Sequence, residues 1–459
     1  LRKIVHPILK EIASIFNTNG KELYLVGGAV RDMVMGKKIH DWDLATDALP
    51  REVTSLMRQV RAKVIPTGIK HGTVTVIYKN HNTEITTFRT EEGYSDGRRP
   101  DRVSYAAKIE EDLSRRDFTM NAIAMRLPDG KIVDPFGGVK DIKAKIIRCV
   151  GNAEERFNED GLRPMRAVRF AAQLGFEIET NTQNAIGGVL EVCAKVSWER
   201  VREEIGKILA SPVPSKGFRL MEETGLLELF LKELADCRGI EQKGFHQFDV
   251  LDHSLLACDF AASKNYSHDL RLAALFHDVG KPPARKIDES GGSMNAVWTF
   301  YRHEEFSASM CQKILSRLRY PNIVISNVCH LVKEHMFQYS DNWSDAAVRR
   351  FIARAGEANL ESLYQLRRAD GFGFAGKEPD CRSLINLIDR VNSVKKSGQA
   401  FTLKDLAVSG KDLMAIDIPS GKTLGIILKQ LMETVLDDPE QNTKERLLSI
   451  AEKIYNERK

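Results

Sequence analysis

Along 459 residues no apolar run approaches the ~20 residues needed to cross a bilayer. That absence argues against a membrane protein, and no signal-peptide pattern opens the chain; a cytoplasmic location is expected from the cysteine usage. No C-x-x-C spacing occurs among the seven scattered cysteines. An odd, dispersed set suits neither a disulfide framework nor a zinc ribbon and fits a reducing compartment. Internal repeats and low-complexity tracts are missing as well, which excludes solenoids and disordered tails. Charge of one sign is not in large excess: 68 Lys and Arg stand against 63 Asp and Glu, a net charge of +5. Only local clustering of basic side chains could therefore argue for a nucleic-acid partner. What is present is a 42% apolar, 29% charged globular chain. Its length exceeds what one hydrophobic core supports, so two to four domains are expected from about 100–200 residues per domain.

The pattern of elements changes along the chain. "IVHPILKEIASIFNTNG" has helical periodicity and ends at Asn19-Gly20; "ELYLVGG" reads as a short buried strand, "AVRDMVMG" as a brief helix and "HDWDLAT" as the next strand. The β-branched runs "TVTVIYKN" and "NTEITTFRT" bracket "NHN", a hairpin signal. The polar, charged segment from Thr90 to Ser114 is expected to be a long mobile loop. Beyond about Gly151 nearly everything reads as helix, and after "RGIEQKGFHQFD" histidines become frequent. These shifts suggest domains at 1–150, 151–240 and 241–385, with a helical tail at 386–459.

Residues 26–47 read "VGGAVRDMVMGKKIHDWDLATD". Gly27 and Gly28 let backbone approach a ligand closely, and a helix start just behind them favours phosphate, with Arg31 in its first turn. In a strand, Asp41 and Asp43 would share one face. Their repulsion is relieved by a hard cation such as Mg²⁺, and Glu84 in "TEITTFR" could supply a third carboxylate from a neighbouring strand. Carboxylates beside a glycine-lined phosphate site are what metal-assisted nucleotidyl transfer requires. A lone D-x-D or glycine pair is ordinary surface chemistry, so the weight rests on order and spacing.

That order resembles the signature of the tRNA nucleotidyltransferases and bacterial poly(A) polymerases, a branch of the polymerase β-like superfamily. Further stretches match in the family's order over roughly the first 210 residues. "RRDFTMNAIA" at 115–124 is similar to its ribose-reading motif, which implies nucleotide contacts for Arg116, Asp117 and Asn121. "DPFGG" at 134–138 resembles the hinge between head and neck. "EDGLRPMRAVRFAAQLGF" at 159–176 resembles the base-selecting helix, and "ERVREEIGKIL" at 199–209 the neck helix. The resemblance implies an α+β fold: a polymerase β-like head with a mixed sheet, then an all-α neck and body.

Asp160 offers acceptors and Arg163 donors one helical turn apart, so both can face one base edge. Cytosine and adenine share an exocyclic amino donor beside a ring-nitrogen acceptor, a pattern that uracil and guanine reverse. Without the flanking motifs, the pair would read as an ordinary surface salt bridge. Arg163, Arg166 and Arg169 form a basic stripe suited to a triphosphate or an RNA acceptor end, with Arg200 and Arg202 in the next helix.

A second constellation follows: His253 in "LDHSLLA", His277 and Asp278 in "LFHDVGKP", His303 in "FYRHEEFS", His335 in "KEHMF" and Asp370 in "RRADGFG". Imidazole with carboxylate suits transition metals more than Mg²⁺. The pattern resembles the HD phosphohydrolase superfamily over about residues 245–375. It implies an α-helical HD domain with a metal on His253, His277, Asp278 and Asp370, and His303 and His335 close enough for a second ion or a phosphate. Ni²⁺, Co²⁺, Mn²⁺ or Fe²⁺ are the expected ions there, and Mg²⁺ at the head.

The combined expectation is template-independent addition of CCA, or its terminal A, to tRNA 3′ ends from CTP and ATP. An enzyme adding only adenosine and a poly(A) polymerase are the close alternatives. Of other classes, an HD hydrolase using its head merely to bind RNA and a noncatalytic RNA-binding regulator are the competitors. The long Thr90–Ser114 segment resembles members able to add the terminal A, which disfavours an enzyme that stops after two cytidines.

Overall fold

Hydrophobic spacing in "PILKEIASIFNT" puts Ile8, Leu9, Ile12, Ala13 and Phe16 on one buried face of helix α1 (Pro7–Thr18), which Gly20 ends with a positive φ of 70°. In this computed structural model, residues 6–39, 41–69, 72–93, 102–242, 247–288, 297–396 and 401–458 are described. They form two compact units. One runs to Ala235 and includes Arg317–Arg319; the other comprises Asp236–Ser316 and the chain from Tyr320.

In the first unit, β1 (Leu23–Val26) is buried along its length and leads through Gly27 into α2 (Gly28–Val34). Then come β2 (Asp43–Thr46), α3 (Pro50–Gln59), β3 (Lys63–Gly68), β4 (Thr73–Tyr78) and β5 (His81–Thr87). They are followed by β6 (Arg89–Glu92), β7 (Arg102–Tyr105), α4 (Ile109–Ser114), β8 (Ala124–Arg126), β9 (Ile132–Val133) and α5 (Gly138–Ala144). A seven-stranded sheet runs β3-β4-β5-β2-β1-β8-β9, parallel between β2 and β5 and antiparallel elsewhere. This is the mixed sheet expected of the head. Tyr24, Val26, Ala45, Phe88, Leu113 and Ala124 pack in one core cluster behind it.

Three expectations need correction. The β4–β5 hairpin forms, but its turn is Lys79-Asn80, both at positive φ, and His81 and Asn82 belong to the strand. Two residues with φ > 0 make the tight turn that matches strand twist. Strand β2 begins only at Asp43, where pairing with β5 begins, and pairs with β1 from Leu44, so Asp41 lies outside it. Finally, Thr90–Ser114 is not one loop. The ladder of β6 with β7 and helix α4 occupy much of it, because Arg89 to Glu92 pair with Tyr105 to Arg102 and Ile109 and Leu113 are buried; positions 94–101 lie outside the described residues.

Beyond residue 150, α6 (Ala153–Glu159) and α7 (Arg163–Leu174) open the helical part. Two small strand pairs interrupt it: Ile146–Ile147 with Glu177–Ile178, and Lys286–Asp288 with Val297–Thr299. In the second unit the helix Val250–Ser263 packs on Leu360–Gly373 and on His268–Phe276. Helices Lys422–Asp437 and Lys444–Asn456 contribute a further apolar cluster around Leu413, Ile427, Leu431 and Leu447. No described helix is long and apolar enough to cross a membrane.

Candidate active site and a second side-chain cluster

Strand β1 delivers Gly27 at φ +68°, ψ −134°, a conformation open to glycine. A Cβ there would stand 2.9 Å from Nη1 of Arg116. Its own N–H donates to the Ile123 carbonyl at 3.2 Å, so Gly27 supplies the turn, and approach to a ligand falls to Gly28. Asp43 lies in register with Glu84 on the parallel neighbour β5. Glu84 faces a narrower recess of about 190 Å³ shared with Asp43, Arg89, Arg115 and Arg116. Among the described residues, neither Asp41 nor Asp43 accepts a hydrogen bond or forms an ion pair with a side chain. The Asp43 carboxyl sits above its ordinary range through desolvation within the cleft, opposed by Arg116 and reinforced by Asp41.

Asp112 and Asp117 nearby are, by contrast, tied to arginines. Asp112, 1% exposed, receives Arg115 at 2.8 Å and Arg116 at 3.1 Å and thereby aims both guanidiniums. Asp117 accepts from the Phe118 N–H at 2.8 Å, from Asn121 Nδ2 at 3.2 Å and from Arg166 Nε at 2.8 Å. Asn121 in turn takes Arg31 Nη1 at 3.0 Å. The ring of Phe170 collects three cations: Arg169 at 3.8 Å from its centroid, Arg31 at 5.2 Å and Arg166 at 5.6 Å. Arg169 is also bonded to Glu204 on the helix Trp198–Leu209.

Asp160 and Arg163 both border the cleft, but they do not bond to each other. Asp160 is gripped by Arg200 at 3.1 and 2.7 Å. Arg163 turns back to the carbonyls of Arg156 at 2.9 Å and Arg115 at 3.1 Å and to the Glu159 carboxylate. The ordinary salt bridge that the spacing alone would suggest does not form, because α6 ends at Glu159, placing that carboxylate one turn below Arg163.

Gly27, Gly28, Asn121 and Phe170 line one cleft of about 760 Å³ together with eight basic side chains and four carboxylates; Glu84, Asp112, Glu159 and Glu204 stand outside its lining. The basic ones are Arg31, Arg115, Arg116, Arg163, Arg166, Arg169, Arg200 and Lys207; the acidic ones are Asp41, Asp43, Asp117 and Asp160. Such a balance suits a triphosphate whose charge a divalent cation partly neutralises. Sequence reasoning named the glycines, Asp41, Asp43 and the α7 arginines but missed Asp112, Phe170, Glu204 and Lys207. The i, i+3 and i, i+4 spacing of Asp112 to Arg115 and Arg116 was a readable signal; the ring-centred packing of Phe170 had none.

The Asp117–Arg166 pair gives a stability prediction. Burial alone would raise the Asp117 carboxyl, yet Arg166 outweighs it and holds it down to about 2, from an ordinary 3.8. A depressed carboxylate contributes stability that is complete above about pH 4 and is lost as pH falls through about 2, a contribution of about 2 kcal/mol. Urea unfolding of Asp117→Asn between pH 5 and 2.5 is expected to show a flatter pH dependence than the parent. An unchanged slope would refute the coupling.

In the second unit six side chains converge, all at most 5% exposed: His253, His303 and Asp370 from three helices, and His277, Asp278 and His335 from just past the ends of His268–Phe276 and Asn322–Glu334. His253 Nε2 lies 3.0 Å from His277 Nε2, 3.3 Å from Asp278 Oδ2 and 3.2 Å from Asp370 Oδ1. His303 Nε2 and His335 Nε2 stand 3.1 and 3.8 Å from the other oxygen of Asp278. Two triads that could each hold a metal ion therefore share Asp278: His253, His277, Asp278 and Asp278, His303, His335. The Nδ1 atoms of His277, His303 and His335 face the carbonyls of Ala274, Phe300 and Val332 at 2.9, 3.0 and 2.6 Å. That is how proteins fix the tautomer that leaves Nε2 free for a metal. Ligands about 2.1 Å from one ion sit roughly 3 Å apart, so the spacing fits. Lys281 sits 2.6 Å from Asp278 Oδ2, the oxygen that faces His253 and His277, and Arg367 holds the outer oxygen of Asp370 at 3.0 Å.

Comparison with known proteins places the first half on firm ground. Residues 23–148 match the poly A polymerase head domain, 175–238 the RNA and SrmB-binding site of polymerase A, and 293–451 tRNA nucleotidyltransferase domain 2. A protein named "CCA-adding enzyme" from Lactobacillus johnsonii is 51% identical over 222 residues, 48% of this chain and 54% of that protein, so the matched stretch spans about half of such relatives. The CCA-adding enzyme of Lactobacillus delbrueckii subsp. bulgaricus is 46% identical over 438 residues, 95% of this chain and 94% of its own. Among solved structures, the Bacillus stearothermophilus CCA-adding enzyme in complex with CTP aligns at 30% identity with a TM-score of 0.70, covering 99% of each chain. With a nucleotidyltransferase head, a cationic cleft around two open carboxylates and a relative matched from end to end, the chain belongs to the CCA-adding enzyme family of tRNA nucleotidyltransferases.

Proposed function

We propose that the protein adds C, C and A to tRNA 3′ ends from CTP and ATP, without a template and with release of pyrophosphate, in the cytoplasm. The observation that carries this is the contrast within one cleft: Asp41 and Asp43 open, and every other lining carboxylate tied to an arginine. Asp41 and Asp43 would hold Mg²⁺, with Glu84 beside Asp43; the ion supplies a lowered pKa for the attacking hydroxyl and charge neutralisation at the triphosphate. Arg31, Arg166 and Arg169 bind the phosphates, with Gly27 making the turn and Gly28 letting them close to the backbone. Asn121 orients Arg31, and Asp117 and Arg116 flank the sugar. Asp160 accepts from the exocyclic amino group and Arg163 donates to the ring nitrogen, a pattern shared by cytosine and adenine. The tRNA hydroxyl then forms its bond to the α-phosphorus as the α–β bridging bond breaks. Residues 1–150 act as head and 151–240 as neck and body in this division of labour, with a tail from 386. The test supplies each nucleotide singly to tRNA ending at the discriminator base, in C or in CC. CTP should extend the first two substrates and ATP the third; extension of all three by ATP alone would favour a poly(A) polymerase.

A second reading concerns residues 241–385, and the sharing of Asp278 by two buried triads favours it. There we propose an HD-type metal phosphohydrolase acting on phosphate esters at damaged tRNA ends, which lack the free hydroxyl that the head needs. Ni²⁺, Co²⁺, Mn²⁺ or Fe²⁺ fits the His and Asp donors and supplies a metal-activated water.

A further inference from the structure

The helix Trp198–Leu209 presents Arg200, Glu204 and Lys207 at i, i+4 and i+7, which puts them on one face. Arg200 meets Asp160, Glu204 meets Arg169, and Lys207 sits 3.1 Å from Glu204. That face thus grips the base-selecting stretch at its start, Asp160, and at its middle, Arg169. The grip on Asp160 is a fork on a fork: Nη1 to Oδ1 at 3.1 Å and Nη2 to Oδ2 at 2.7 Å, between side chains 21% and 18% exposed. Oδ1 also accepts the Leu162 N–H at 3.0 Å. A carboxylate offers about four acceptor positions, so about one remains open. Two parallel bonds fix the carboxylate plane, which a single contact could not do.

We propose that Arg200 is a positioning residue for nucleotide choice: its guanidinium locks the Asp160 carboxylate so that the one remaining acceptor position meets the exocyclic amino group of cytosine or adenine. The inference rests on the reading of Asp160 and Arg163 as the base-selecting pair. A carboxylate freed to rotate offers acceptors in several directions and can be bridged by water to a carbonyl, so the penalty against uracil or guanine falls. Arg163 is held by the Arg115 and Arg156 carbonyls independently of Arg200, so its own donors stay aimed when Arg200 changes.

Lysine separates positioning from mere charge balance, because it keeps the charge and gives up the fork. The experiment measures kcat/KM for CTP, ATP, UTP and GTP on tRNA ending in C or CC, with melting temperatures, for Arg200→Ala, Arg200→Lys and Asp160→Ala. The expected result is a drop of about tenfold to a hundredfold in the CTP-to-UTP ratio for both Arg200 variants, the size of losing one aligned hydrogen bond to a charged group. Arg200→Lys is expected to melt near the parent temperature while discriminating poorly. If the alanine variant fails to fold, the lysine variant decides. Parent-like discrimination in Arg200→Lys, with Asp160→Ala relaxed, overturns the role of Arg200 and leaves the base-reading pair standing. Parent-like discrimination in Asp160→Ala overturns both.

Discussion

Replacing Asp41 and Asp43 together by alanine abolishes nucleotide addition, by about a thousandfold or more, the scale of losing a catalytic metal site. The fold survives. Both side chains are exposed, and among the described residues neither accepts a hydrogen bond or forms an ion pair, so their removal leaves no buried partner unsatisfied. Surface changes of that kind cost within about 0.5 kcal/mol. The contrast is Arg166→Ala, which strands the buried Asp117 carboxylate and is expected to destabilise the first unit by about 2 kcal/mol. Single-turnover addition measured beside thermal melts separates the two classes. Addition at the parent rate in the double variant would remove Asp41 and Asp43 from the chemistry.

If the second cluster is the metal centre proposed above, Asp278→Asn empties it without disturbing the first site. The substitution keeps the side chain's volume but withdraws the charge that both triads share, so loss of both ions at once is the expected result, with bound metal falling at least tenfold. Hydrolysis of 2′,3′-cyclic phosphate and 3′-phosphate ends in added Ni²⁺, Co²⁺ or Mn²⁺ should disappear, and nucleotide addition should persist. The double variant His277→Ala/Asp278→Ala tests the same point more harshly, since it leaves His253 and Lys281 around a void. A parent protein that carries no metal and hydrolyses none of these ends under any of the ions returns the cluster to a structural role. Loss of nucleotide addition in Asp278→Asn would mean that the two activities are not separable.

Much of both sites was legible because local rules place their residues. The glycine pair after an apolar run, the two aspartates, and the α7 arginines at i, i+3 and i+6 are all set by sequence-near geometry. The β4–β5 hairpin followed from alternation of β-branched residues. What sequence could not display was partnership across elements. Asp160 and Arg163 are three residues apart and looked like a pair, but Arg200, forty residues on, offers a fork that fits a carboxylate better, and Glu159 claims Arg163. Thr90–Ser114 read as a loop because its polarity masks a ladder whose order comes from Phe88, Ile109 and Leu113 beneath it. The six side chains of the second cluster span 118 positions, from His253 to Asp370, yet the types at each motif pointed to them. Their sharing of Asp278 emerges only when the helices are packed.

The most direct test is the sequence of the ends produced from tRNA that stops at the discriminator base, incubated with the purified protein, Mg²⁺, CTP and ATP together and read over time. Products that progress through C and CC to CCA and then stop are the predicted result. Runs of adenosine on the bare end, or no cytidine at any time, would contradict CCA addition at this site.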